Sequence, residues 1–135
     1  MPEARGPDRA GRGIKIIRNT AMNAALSYER DHGRDPKDVS TSRQGYDIVS
    51  GDRKIEVKGQ SAPWKKIKSD SIHLTKNELQ NATHLYIVCD VYGSCDLHIF
   101  EFSKIPEHAV KKKTLYLIYM VRCRDYELKE DHLID

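Results

Sequence analysis

The chain contains no C-x-x-C pair, and its three cysteines, Cys89, Cys95 and Cys123, fall in or near apolar strand-like runs. That argues against a disulfide framework, and also against zinc, because Cys89, Cys95 and His98 lack the tight paired spacing of a tetrahedral site. Buried, reduced thiols are expected. No apolar run approaches the length that spans a bilayer, and no charged-then-apolar leader opens the chain. The expectation is a soluble, intracellular protein of the cytoplasm, nucleoid or nucleus, with no membrane partner. An excess of one charge is missing too. Lys and Arg number 23 against 20 Asp and Glu, and a formal charge of +3 favours a polyanionic partner only weakly.

What is present is 135 residues, one domain's worth of chain. Residues 1–13 interleave glycine and proline with Arg5, Arg9 and Arg12 and show no apolar period, so a flexible arm is expected there. Residues 14–125 read as a single domain and 126–135 as a charged tail. From Ile14, the positions Ile17, Ala21, Ala24, Ala25 and Tyr28 recur at helical steps, and Gly33 supplies a stop. A short strand is expected around Val39 and another over 71–74. Thr75 with Glu78 forms a capping-box pattern, so a short helix should run to about Ala82. Residues 84–91, 96–102 and 114–121 have strand character. The order favours a mixed α/β sheet flanked by helices, with extra C-terminal strands.

Residues 45–59, GYDIVSGDRKIEVKG, carry the chemistry. Ser50-Gly51-Asp52 is turn chemistry between two apolar-patterned runs, so a hairpin brings Asp47 back beside Glu56. Strand alternation puts Glu56 and Lys58 on one face while Ile55 and Val57 pack inward on the other. Two acids and a lysine in that order suit metal-dependent phosphodiester cleavage. After this strand, Trp64 stands among Lys65, Lys66 and Lys68. Lysines meet phosphates and an exposed indole stacks on bases, which makes these four the nucleic-acid-binding candidates; the alternative is a solvated basic loop whose tryptophan anchors it to the core. Lys111 to Lys113 form a second basic run, read as a solvated turn. His73 is a further polar residue that could approach the cleft from its strand.

With helix, hairpin acids and lysine in place, the chain resembles the PD-(D/E)XK superfamily of restriction-endonuclease-like nucleases, whose core runs α-β-β-β-α-β. The YE of the first helix, GYDI, IEVKG and LTxNEL followed by an apolar strand look more closely like the domain first described at the C-terminus of the NO VEIN protein. The resemblance implies Asp47 as the first-strand acid, Glu56 and Lys58 as the E-x-K element, and Glu29 as the helix acid, which together make up the catalytic set. It implies Mg²⁺ or Mn²⁺ held by Asp47, Glu56 and the Val57 carbonyl, with Glu29 as a further candidate ligand. Tyr46 stands where the motif's name has proline. The implied activity is Mg²⁺-dependent hydrolysis of nucleic acid, DNA rather than RNA, in defence, restriction or repair. A homodimer that cuts junctions is one version of that reading. The alternative is a non-cleaving nucleic-acid-binding or targeting module of the same fold.

Overall fold

A computed structural model of the chain describes residues 7–68, 70–113 and 118–130. Helix α1 (Pro7–Asp31) buries Ala21 and Ala25 completely, as the sequence period requires. It starts earlier than expected. Residues 7–13, read as part of a flexible arm, are helical, because proline fits a first helical turn where its missing N–H has no partner to lose. Residues 1–6 lie outside the described residues.

Strands β1 (Lys37–Asp38), β2 (Ile48–Ser50) and β3 (Arg53–Gly59) follow. Beyond them come α2 (Trp64–Ile67), β4 (Ile72–Thr75), α3 (Lys76–Asn81), β5 (His84–Cys89) and β6 (Asp96–Glu101). Strands β7 (Val110–Lys113) and β8 (Ile118–Val121) are the last two strands among the described residues. The expected strand over 114–121 is thus seen from Ile118 on, and 114–117 lie outside the described residues. The β2–β3 hairpin forms as expected, with Ile48 opposite Ile55 and Gly51 at φ +59 in the turn.

The protein is an α/β fold built on two sheets. A five-stranded mixed sheet has the order β1-β2-β3-β5-β6, with β3 parallel to β5 and the other pairs antiparallel. The second sheet, β4-β8-β7, is antiparallel. Every residue of β5 is buried, since this strand is central and covered on both faces. One face of the large sheet, bearing Ile55, Val57, Tyr86 and Val88, packs on α1. The other, bearing Leu85, Ile87 and Phe100, packs on Ile72, Leu74 and Val121 of the small sheet.

Along the chain α1, β2, β3, β4, α3 and β5 do follow the order α-β-β-β-α-β. In space β4 leaves the main sheet. It pairs with β8 instead, so the second face is covered by strands where helices were expected. The reason is alternation: Ile72 and Leu74 share one side of β4 and need an apolar layer beneath them, and β8 supplies Val121 to the same layer.

The charged tail is also partly corrected. The Leu128 amide donates to the Ile99 carbonyl at 2.8 Å, against the last strand of the large sheet. Arg53 grips the Glu130 carboxylate through two hydrogen bonds of 2.8 Å, and the Tyr28 hydroxyl donates to the Glu130 carbonyl at 2.6 Å. Residues 126–130 therefore pack on the domain, while 131–135 lie outside the described residues. Cys89 and Cys123 are buried free thiols, each pushed up to about 12 by burial, and Cys95 is free and half-buried. No helix among the described residues is long and apolar enough to cross a membrane.

Candidate active site

The hairpin sets its two acids side by side. The Asp47 amide donates to the Ile55 carbonyl at 2.8 Å, and the Val57 amide donates to Asp47 Oδ2 at 2.9 Å. Glu56 lies between those two anchor points, its side chain on the opposite face from Val57 and 7 % exposed. Burial, followed by the charge of Asp47, pushes the Glu56 carboxyl up to about 9. Asp47 is also raised, by burial, despite the bond from Val57. Two carboxyls this close and this dry do not both ionise readily.

Lys58 completes the cluster. Its Nζ is 3.4 Å from Glu56 Oε2 and 3.3 and 3.4 Å from the two oxygens of Glu78. Burial would lower the Lys58 pKa, but the charges of Glu56 and Glu78 outweigh it and the net shift is upward. Lys58 is therefore a fixed cation, held between Glu56 and Glu78. Deprotonating water does not suit an ammonium stabilised in this way.

Glu78 is the residue that sequence reasoning missed. It was assigned only to capping, and it does cap: the Thr75 hydroxyl accepts from the Glu78 amide at 3.1 Å, and Glu78 Oε1 accepts from the Thr75 amide at 3.0 Å. The same carboxylate also takes Lys58. Its capping signature was legible, but its second partner lies 20 residues away and leaves no local signal. Gly45 brings α3 close. It sits at φ +91, and a Cβ there would lie 2.5 Å from the Asn77 carbonyl oxygen, so no side chain fits between the GYDI segment and α3.

Asp47, Glu56, Lys58 and Glu78 line one cleft of about 340 Å³, with Ile14, Ile17 and exposed Arg18 of α1 along its rim. Arg18, too, was not singled out from the sequence. The donors are hard oxygens, and Mg²⁺ or Mn²⁺ typically takes only one or two protein carboxylates, so Asp47 and Glu56 fit such an ion. A dication there would offset the mutual repulsion of the two carboxylates. Among the described residues no three His, Cys, Asp or Glu side chains gather into a larger cage.

Glu29 is not part of this cluster. It is fully buried on the α1 side of the sheet, bonded by Arg34 at 2.5 and 2.9 Å and by the Tyr86 hydroxyl at 2.5 Å. Tyr86 is the register partner of Val57, so it faces α1, whereas Glu56 and Lys58 face the other way. With both oxygens engaged across the sheet, Glu29 is a structural anion and not a metal ligand. Burial raises its pKa, but the bonds from Arg34 and Tyr86 outweigh this and lower it overall.

Trp64 takes the alternative place, as the anchor of its basic segment on the core. Its ring stacks on His98 with centroids 4.2 Å apart and lies 5.9 Å from the ring of Phe100, half-buried over the second core. It anchors α2, leaving Lys65, Lys66 and Lys68 exposed around it. His73 is exposed on the outer side of β4 and not turned into the cleft.

The fold and cleft define a small α/β domain with an acid pair and a lysine presented on one hairpin. Residues 17–96, more than half of the chain, match the family described as Protein NO VEIN, C-terminal. The match includes every cleft residue except Ile14, and the chain belongs to that family. No curated protein matches the chain.

Proposed function

We propose that this protein is an endonuclease of the PD-(D/E)XK type, dependent on Mg²⁺ or Mn²⁺, that hydrolyses phosphodiester bonds in nucleic acid, DNA before RNA. The observation that carries this reading is the adjacency of the Asp47 and Glu56 carboxyls in a cleft that also holds the Lys58 ammonium. A dication held by those carboxylates and the Val57 carbonyl would supply Lewis-acid charge for the substrate phosphate and for water. Asp47 is oriented by the Val57 amide before anything binds. Lys58, steered by Glu78, is within reach of a phosphate in the cleft and stabilises negative charge as it develops there. Arg18 on the rim offers a planar fork for a neighbouring phosphate. Water adds to phosphorus, the bond to the leaving sugar oxygen breaks, and the proton of water goes to solvent or to that oxygen. The biological setting that suits such an enzyme is defence, restriction or repair.

A cleavage assay over single-stranded, duplex and branched substrates, with Mg²⁺ or Mn²⁺ and with chelator, tests the proposal. Metal-dependent cutting by the wild type that disappears in Asp47→Ala is the expected result. Binding to nucleic acid with no cutting of any shape would replace the enzyme with a non-cleaving targeting module.

A further inference from the structure

The outer face of the small sheet carries cations that the cleft does not use. Ile72, Leu74 and Val121 point into the core, so strand alternation turns His73, Thr75, Lys111, Lys113 and Met120 outward. Register puts Lys113, Ile118 and Thr75 in one row and Lys111, Met120 and His73 in the next. Exposed Arg122, whose amide donates to the Ala109 carbonyl at 2.8 Å, extends the file, and exposed Arg124 follows. A hollow of about 390 Å³ opens here, lined by Lys111, Arg122 and Arg124 together with His108 and Tyr126. Asp125 is the only acid lining it among the described residues, 3.8 Å from Arg124.

One end of this face meets the cleft. Thr75 bonds Glu78, and Glu78 bonds Lys58. Same-face positions along a strand are roughly 6.6 Å apart, so the file from Lys113 past Lys111 to the Arg122 row spans about 13 Å. The lysines of α2 stand elsewhere: Trp64 fastens them at β6, two strands from β3.

We infer that the outer face of the second sheet binds the phosphate backbone of the nucleic acid and leads it to the cleft at the Thr75 end. The inference rests on the proposed nuclease reading for what happens in the cleft, but binding is measured apart from cutting. The contacts are charge to phosphate, so affinity is independent of base sequence and falls steeply with salt.

The test is anisotropy of a short labelled DNA duplex in Ca²⁺ without Mg²⁺, over a salt series, with thermal unfolding as a check of fold. The triple variant Lys111→Ala, Lys113→Ala, Arg122→Ala is expected to lower the log Kd against log salt slope by about 2 to 3. Lys65→Ala, Lys66→Ala, Lys68→Ala should leave the slope within about one unit of wild type. The single charge reversal Lys111→Glu gives a second, milder variant that should weaken binding in the same direction. An unchanged slope in the face variants, or no duplex binding by the wild type at low salt, overturns the inference. Loss of the slope in a protein that cuts nothing keeps the face and removes the nuclease. Metal-dependent cutting with the slope intact keeps the nuclease and removes the face.

Discussion

The Val57 amide donates to the Asp47 carboxylate at 2.9 Å, across 10 positions of chain. The acid just before β2 is therefore fixed by the peptide that links Glu56 to Val57, and the two carboxyls keep their spacing without help from a bound ion. Preorganisation of this kind lets charge meet a transition state without first rearranging the site.

Asp47→Asn keeps an acceptor for that amide and removes the charge. We expect it to abolish metal-dependent cutting while the metal-free protein becomes more stable, on the order of 1 kcal/mol, because a buried carboxyl pair is relieved. Glu56→Gln should behave alike. In thermal melts the wild type should gain stability with Mn²⁺ and the variants should not. Equal metal stabilisation in all three proteins would remove these residues from the metal site.

Lys58→Ala should slow the chemical step roughly a hundredfold in single-turnover kinetics, with metal affinity little changed, if the ammonium stabilises transition-state charge. Lys58→Arg should rescue poorly, since a planar fork does not reproduce a compact point charge. Glu78→Gln separates capping from steering. Glutamine still completes a capping box, so urea melts should move by less than about 1 kcal/mol while the rate drops. A rate identical to wild type would leave Glu78 as a cap alone.

Glu29→Ala leaves Arg34 and Tyr86 facing a lost buried partner and should cost about 3–5 kcal/mol. The pH dependence has a defined sign. The folded-state pKa of Glu29 lies below its unfolded value of roughly 4.3, so its stabilisation is present above that pH and is lost as pH falls through the folded value. Urea titrations of wild type and Glu29→Gln should therefore converge on acidification and diverge toward neutrality. A Glu29→Gln protein that unfolds like wild type at neutral pH but fails to bind Mn²⁺ would return Glu29 to the metal site.

Gly45→Ala should destabilise by more than about 2 kcal/mol, because the new methyl meets the Asn77 carbonyl and the backbone is left-handed there. Chemical denaturation measures it. An alanine tolerated at no cost would mean that α3 can withdraw from the hairpin.

The hairpin and its E-x-K face were legible because period-two alternation and a glycine turn are local signals, and so was the Thr75 cap. What escaped depended on which side of a sheet each element packs. Glu29 sits at the edge of the α1 stripe, and nothing near it in sequence reveals Tyr86, 57 residues on, or that α1 covers the face opposite Glu56. Trp64 amid lysines leaves two readings open, exposed stacker or anchor, and only His98 and Phe100, brought beneath it from β6, decide for the anchor. The strand Ile72–Thr75 was recognisable, but its departure into a second sheet is set by its distant partner β8.

Residues 126–130 run beside β6, tied down by the Leu128 amide on Ile99 and by Arg53 and Tyr28 on Glu130. An open sheet margin recruits further chains, and here the protein seals its own. The segment thus shields this flank: cutting it away would bare the strand edge next to Leu97 and Ile99, a margin open to pairing with another chain.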